Sequence, residues 1–364
     1  MTSGPLAGVR VLEFASIGPG PFCAMLLSDM GADVVRVDRP SGVAGTGPNA
    51  VLQRGRPSIV LDLKQAGDCA LAARAAAQAD VLIEGNRPGV MERLWLGPAP
   101  LMEANPALIY ARMTGYGQTG PLAHAAGHDI NYLGLVGALD AIGDGETPPR
   151  APLNLLGDFG GGALYLAFGI AAALFERTRS GRGQIIDAAI VDGSASLMGM
   201  AMGAFATGSL GRQREANLLS GAAPFYRCYI CADGQHIAVG ALEPQFYARF
   251  IAAMEVQAFA HYEQRDPVFW PELSALLEQK FASRPRAEWL ALLEPLDACV
   301  SAVLPIEDSI ADPHAAARQM FIEVGGMRQP APAPRLSRTP GAVQGPMAKP
   351  DEGGRDALAR WGVS

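Results

Sequence analysis

Along the first half of the chain, short apolar runs alternate with longer amphipathic ones. Runs rich in β-branched residues at Gly8–Ala15, Asp33–Val37, Ile59–Leu63, Ala79–Glu84, Ala107–Arg112 and Gln184–Val191 predict strands. Between them, Phe22–Met30, Ile130–Leu139 and Gly160–Phe175 read as helices. Strands and helices in alternation over residues 8–191 are the pattern of an α/β domain with a parallel, doubly wound sheet.

Beyond residue 191 the pattern changes. Residues 192–220 are rich in Ala, Gly and Met and carry little charge, as a connector or an interface would. Pro224–Gly240 predicts two strands about the Asp233-Gly234 turn. Helices are expected at Phe246–Met254, Phe269–Phe281, Arg286–Leu293 and Pro313–Phe321. Ala331–Pro350 is proline-rich and reads as an extended surface segment before a last helix at Glu352–Trp361.

Composition narrows the function classes. The chain has 364 residues, 49% apolar and 18% charged, enough to bury a substantial core in two domains or one enlarged one. A net charge of −7 argues against a general binder of nucleic acid or of membrane surfaces. The Gly160–Phe175 run falls short of the roughly 20 residues of a spanning helix and reads as a core helix. The N-terminus lacks a basic region followed by an apolar core, so no secretory signal is expected. Five cysteines, with only Cys228 and Cys231 close together, suit ordinary thiols in a reducing, cytoplasmic setting and offer no metal spacing.

Three features carry candidate chemistry. The first strand is followed by Gly18-Pro19-Gly20-Pro21, and Asp38 closes the second strand, which invites a dinucleotide-binding reading. Cys23 occupies the third glycine position, however, and the prolines remove N–H groups that a pyrophosphate would use. Positive charge gathers at Arg36, Arg39, Arg54, Arg56 and Lys64, and again at Arg87 and Arg93. At the C-terminal ends of parallel strands, arginines suit a phosphorylated ligand; paired with Asp33, Asp38 and Glu84 they would be structural. The third feature is Gly127–Tyr165, where His128 and Asp158 each precede an apolar helical run. Two titratable groups at facing helix starts could move protons and stabilise an anion; singly, Asp158 is an ordinary N-cap and Glu243 an ordinary first-turn acid. Spacing leaves open whether Asp158 acts as a proton base or as a covalent nucleophile.

Several long stretches resemble the family III CoA-transferase superfamily. They are VRVLEFASIGPGPFCAMLLSDMGADVVRVDRP (9–40), GRPSIVLDLK (55–64), DVLIEGNRPGVMERL (80–94), ARMTGYGQTGP (111–121) and GQIIDAAIVDGS (183–194). Within it, GHDINY (127–132), APLNLLGDFGGG (151–162) and AVGALEPQFY (238–247) are similar to the α-methylacyl-CoA racemases. The resemblance implies His128 and Asp158 as the acid/base pair flanking the α-carbon of a 2-methylacyl-CoA thioester. It implies that Glu243 orients His128, that the Asp129 N–H receives the thioester oxygen, and that Asn154 supports Asp158. Arg39 and Arg93 would meet the adenine and phosphates of CoA, with Arg87 and Arg56 in the same basic cluster. CoA is then part of the substrate, and no metal or other cofactor is implied. In the transferases of the superfamily, the position of Asp158 forms an acyl anhydride instead, which is the alternative activity. The implied fold is a large Rossmann-like domain (residues 1–195, completed by 330–364), a connector (196–222) and a smaller α+β domain (223–329), in an interlocked homodimer.

Overall fold

The computed structural model describes residues 4–40, 47–143, 147–211, 214, 217–260 and 264–364. They form two compact units: residues 1–136, 152–197 and 317–364 make the first, and 137–151 with 198–316 the second. Residues 137–151, assigned from sequence to the large domain, therefore group with the second unit.

The first unit is built on a six-stranded parallel sheet: β1 (Arg10–Phe14), β2 (Asp33–Asp38), β3 (Ser58–Val60), β4 (Val81–Glu84), β5 (Ile109–Thr114) and β6 (Ile185–Ala189). The strand order is β3-β2-β1-β4-β5-β6, a Rossmann-type winding whose direction reverses between β1 and β4. The β-branched runs seen in sequence are these strands, and the near-continuous burial of β2, β4 and β5 is what a sheet covered on both faces requires.

Helices α1 (Pro19–Asp29), α2 (Ala66–Gln78), α3 (Val90–Arg93), α4 (Pro98–Ala104), α5 (Asp129–Leu135), α6 (Leu164–Ser180) and α7 (Ile190–Leu197) complete the unit. One core forms around Leu12, Val35, Ile59 and Leu82 and takes in Leu358 of the closing helix Gly354–Arg360 and Trp361, its C-cap. The Trp361 indole N–H donates to Asp33 at 2.8 Å, which pins that helix to β2. The other core, around Val11, Val34, Ile83, Leu166 and Ile170, lies on α1 and α6.

Two expectations about helices are corrected. The run read as Gly160–Phe175 begins earlier, at Leu155, and ends at Ser180, with its first nine residues (Leu155–Ala163) in π-helical winding that continues into α6. At 26 residues it is long and apolar enough to cross a bilayer, yet Leu166, Ile170 and Ala173 pack into the sheet core. Asp158 therefore lies inside a helix and is not its N-cap; that position belongs to Asn154. The other helix is shorter than expected, ending at Leu135 and not Leu139.

In the second unit a three-stranded antiparallel sheet joins β7 (Tyr226–Ile230), β8 (His236–Gly240) and β9 (Val300–Val303). An aromatic core of Phe225, Phe250, Trp270, Phe281 and Trp289 packs on it. The predicted hairpin is β7–β8, while β9 went unread because its four residues, VSAV, are too few to show alternation. Residues 212–213 and 215–216, within the expected connector, lie outside the described residues. Phe321, expected to end a helix, instead opens an antiparallel hairpin (Phe321–Val324 with Met327–Pro330) in the first unit.

Candidate active site

Open α/β sheets place ligands beyond the C-terminal strand ends, where the winding reverses. A cavity of about 980 Å³ opens there, within the first unit. Its wall comes from the segments after β1 (Ala15–Ile17), β4 (Gly85–Pro88) and β5 (Gly115, Tyr116), from the start of α5, and from Asp158.

Each of these segments is held by a specific contact. His128 is the N-cap of α5 in extended backbone, and its N–H donates to the Asn131 side chain at 3.0 Å. Tyr132, one turn on, donates a 2.5 Å hydrogen bond to the Gly127 carbonyl and so fixes the peptide that leads into His128. Its ring packs edge-on to Tyr116, and Gly115 and Gly127 leave the room it fills. Burial and the nearby Asp158 carboxylate push the Tyr132 phenol up to about 12, so it remains a donor.

Asp158 is reached from three sides. The Asn154 side chain hydrogen-bonds to it. A Cβ on Gly18, whose φ is +76°, would stand 3.3 Å from Asp158 Oδ2. The Gly-Pro-Gly-Pro turn thus accommodates the carboxylate of this chain, in place of the pyrophosphate suggested by a dinucleotide reading. From α5, Asp129 Oδ1 accepts the Asp158 backbone N–H at 2.6 Å. Burial foremost, then the Asp129 charge, raises the Asp158 carboxyl to about 6, opposed by His128 and by the Asn154 hydrogen bond. His128 is exposed and lines the same cavity, so the imidazole and the Asp158 carboxyl share one wall.

The arginines separate into two groups. Arg39 and Arg87 are exposed and line the cavity, and Arg39 donates to Asn86 Oδ1 at 3.0 Å. Arg93, the last residue of α3, is exposed on the loop side of β4 near Gly89. Arg56 is corrected: it is 1% exposed, lies 3.1 Å from Glu13, and donates to the Pro21 carbonyl at 2.9 Å and to Leu52 and Gln53. It cannot reach a ligand. Arg36 and Arg54 are likewise buried, against Asp38 at 2.8 Å and Asp29 at 2.5 Å. Glu243 belongs to the second unit, where it is exposed and caps the helix Pro244–Ala253.

Sequence reasoning missed Tyr132, although it lies four residues after His128 and so on the same helix face. It also missed the carboxylate of Asp129, whose partner is 29 positions away.

The cavity at the sheet's switch point thus has His128 and Asp158 on its wall with Arg39 and Arg87, a set of groups chemically able to move a proton on an anionic ligand. The chain belongs to CoA-transferase family III, whose family model matches residues 6–355. It is 47% identical over 347 residues to α-methylacyl-CoA racemase of Mus musculus, covering 95% of this chain and 89% of that one. With α-methylacyl-CoA racemase of Homo sapiens it shares 45% identity over 336 residues, covering 92% and 87%. Among solved structures, a CAIB/BAIF family protein from Brucella suis superposes with a TM-score of 0.86 at 28% identity, covering 99% of this chain and all of the other.

Proposed function

We propose that this chain interconverts the (2R) and (2S) forms of 2-methylacyl-CoA thioesters by moving a proton on and off the α-carbon. The observation that carries the proposal is the shared cavity wall of His128 and Asp158, with Asp158 raised to about 6. Inversion needs one group to remove the proton and another to return it on the opposite face, so the pair must hold one proton between them. In one direction neutral His128 is the base and protonated Asp158 the acid; in the other, carboxylate and imidazolium exchange these roles. As the proton leaves, the thioester becomes an enolate. Its oxygen accepts from the Asp129 N–H, which at the first position of α5 has no intrahelical acceptor. One such donor is worth about 2.7–4 kcal/mol of transition-state stabilisation.

The remaining parts follow from the same reading. Asn154 holds the Asp158 carboxyl in place. Arg39 and Arg87, with Arg93 further out, pair with the phosphates of the CoA portion. CoA is part of the substrate, and the chemistry calls for no separate cofactor. Glu243 orients His128 from the second chain of an interlocked homodimer. The apolar exposed face of α6, with Phe168 73% and Phe175 66% exposed, supports such a partner.

The test is racemisation of one 2-methylacyl-CoA enantiomer in deuterated solvent with no acceptor acid. Loss of optical activity with deuterium at the α-carbon is expected. A chain that left the enantiomer unchanged, but whose Asp158 was modified by hydroxylamine in the presence of acyl-CoA, would be a CoA-transferase using Asp158 covalently.

A further inference from the structure

Asp129 has a side chain that the proposed reaction leaves without a task, since only its backbone N–H meets the substrate. That side chain is 7% exposed, and its two oxygens behave differently. Oδ1 accepts the Asp158 N–H at 2.6 Å, while Oδ2 is buried with no hydrogen-bond partner among the described residues. A buried carboxylate oxygen left unpaired is costly and calls for a reason.

The winding of the helix that carries Asp158 makes one half of that reason visible. In a π-helix the first N–H groups lack intrahelical acceptors, and the Phe159 N–H, five residues after the Asn154 cap, is bonded back to the Asn154 carbonyl at 3.2 Å. The N–H just before it, that of Asp158, is satisfied by Asp129 from another helix. Gly157 makes the approach possible, because a Cβ there would stand 2.4 Å from Asp129 Oδ1. The other half is electrostatic, since the same contact sets a second negative charge beside Asp158 with no cation on its free oxygen among the described residues.

We infer that the Asp129 carboxylate is a positioning residue for Asp158: it fixes the backbone from which Asp158 projects and sets a second negative charge beside it. This rests on the proton-transfer reading of the site and adds the element that matches the two acid/base groups to each other. A neighbouring negative charge disfavours ionisation of Asp158, and of the two carboxylates only that of Asp158 lines the cavity.

The surroundings leave Asp129 and His128 as the charges that act on Asp158, the first raising and the second lowering its proton affinity, after burial itself. Tyr132 stands near it as a phenol, with the Tyr116 ring packed on Tyr132. The other packed elements keep their charges elsewhere. On α1, Asp29 is paired with Arg54 and Cys23 is buried. On β5, Tyr110 donates to the Leu96 carbonyl and Arg112 is paired with Glu84 and Glu92. On β6, Asp187 accepts from the Gln118 N–H, and Asp192 of α7 is exposed. On α6, Tyr165 donates to Ser196, Arg177 is paired with Asp80 and Arg179 lies over Phe175, while Ser180 donates to Glu176.

The experiment is the pH profile of kcat/KM for α-proton exchange, measured on the full chain and on Asp129→Asn and Asp129→Ala. Asp129→Asn keeps an acceptor for the Asp158 N–H and removes the charge; Asp129→Ala removes both. Both should move the acidic limb to lower pH by roughly one unit or more, the size of a close charge effect. Asp129→Ala should also lower the maximum further. An acidic limb that stays in place while the maximum falls would reduce Asp129 to a structural role and overturn the inference. A direct check on the unmutated protein is a carboxyl-carbon NMR titration, with the Asp158 signal assigned by its loss in Asp158→Asn. Titration of Asp158 near 6 that falls toward the ordinary carboxylate range in Asp129→Asn supports the inference; a titration that Asp129→Asn leaves in place, or one already in the ordinary range in the unmutated protein, overturns it. A chain with no exchange at all would refute the proton-transfer reading, and the NMR titration would still decide the coupling.

Discussion

On β1, β2, α1 and β4, each of four buried carboxylates meets an arginine: Glu13 with Arg56, Asp38 with Arg36, Asp29 with Arg54 and Glu84 with Arg112. At the cavity wall, Asp129 and Asp158 meet each other and a histidine, with no arginine paired to either among the described residues. Both regions take carboxylates out of water and thereby favour the protonated form. In the first, arginine opposes that tendency from a fixed salt bridge. In the second, the neighbouring carboxylate adds to it, and the result is a group poised to gain and lose a proton. Fixed ions hold the sheet to its helices; a group without a fixed charge can do proton chemistry.

Glu13 and Arg56 are the extreme of the fixed kind. Burial pushes the Glu13 carboxyl up and pulls the Arg56 guanidinium down, each against the pull of its partner. They lie at ion-pair distance, yet neither Glu13 oxygen is in hydrogen-bond geometry. Such a pair is costly to bury and costlier to break.

Breaking that pair gives the largest expected effect on stability. Arg56→Met should destabilise the fold by about 3–5 kcal/mol at neutral pH in denaturant melts. The Glu13 carboxyl in that variant has a folded pKa above its unfolded value, so the penalty is absent below about pH 4.3 and grows as pH rises. A loss independent of pH would mean that Arg56 matters for its carbonyl contacts and not for its charge. A smaller effect, on activity, is expected on the other side of the comparison. Gly18→Ala should lower kcat by about tenfold (roughly 1.4 kcal/mol) with a modest loss of stability, as a methyl at positive φ crowds the Asp158 carboxylate. Unchanged kcat would show that the turn does not set the carboxylate's position.

Much of the first region was legible in the sequence, because a parallel sheet buried on both faces writes continuous β-branched runs such as DVVRV and ADVLIE. The arginines were misleading, since Arg56 and Arg39 stand in equally polar stretches and only the fold shows that one is in the core and the other at the cavity. His128 could be picked out as a helix-start residue, but the π-helical winding that puts Asp158 inside its helix could not. It depends on Gly157 and Gly161 letting α5 and α7 approach, as a Cβ on Gly161 would stand 2.4 Å from Ser194 Oγ. Sequence distance hid the Asp129 contact altogether, because a capping group borrowed from another helix leaves no local signature.

The central claim is that His128 and Asp158 serve opposite faces of one carbon. It is tested most directly by following α-deuterium exchange of each 2-methylacyl-CoA enantiomer separately in His128→Ala and Asp158→Asn. Each variant should lose racemisation by about 10²–10⁴-fold. Each should retain slow exchange, without inversion, of the one enantiomer whose α-proton faces the group that remains, and the two variants should retain opposite enantiomers. Retention of the same enantiomer by both, or racemisation surviving in either, would contradict the two-group account.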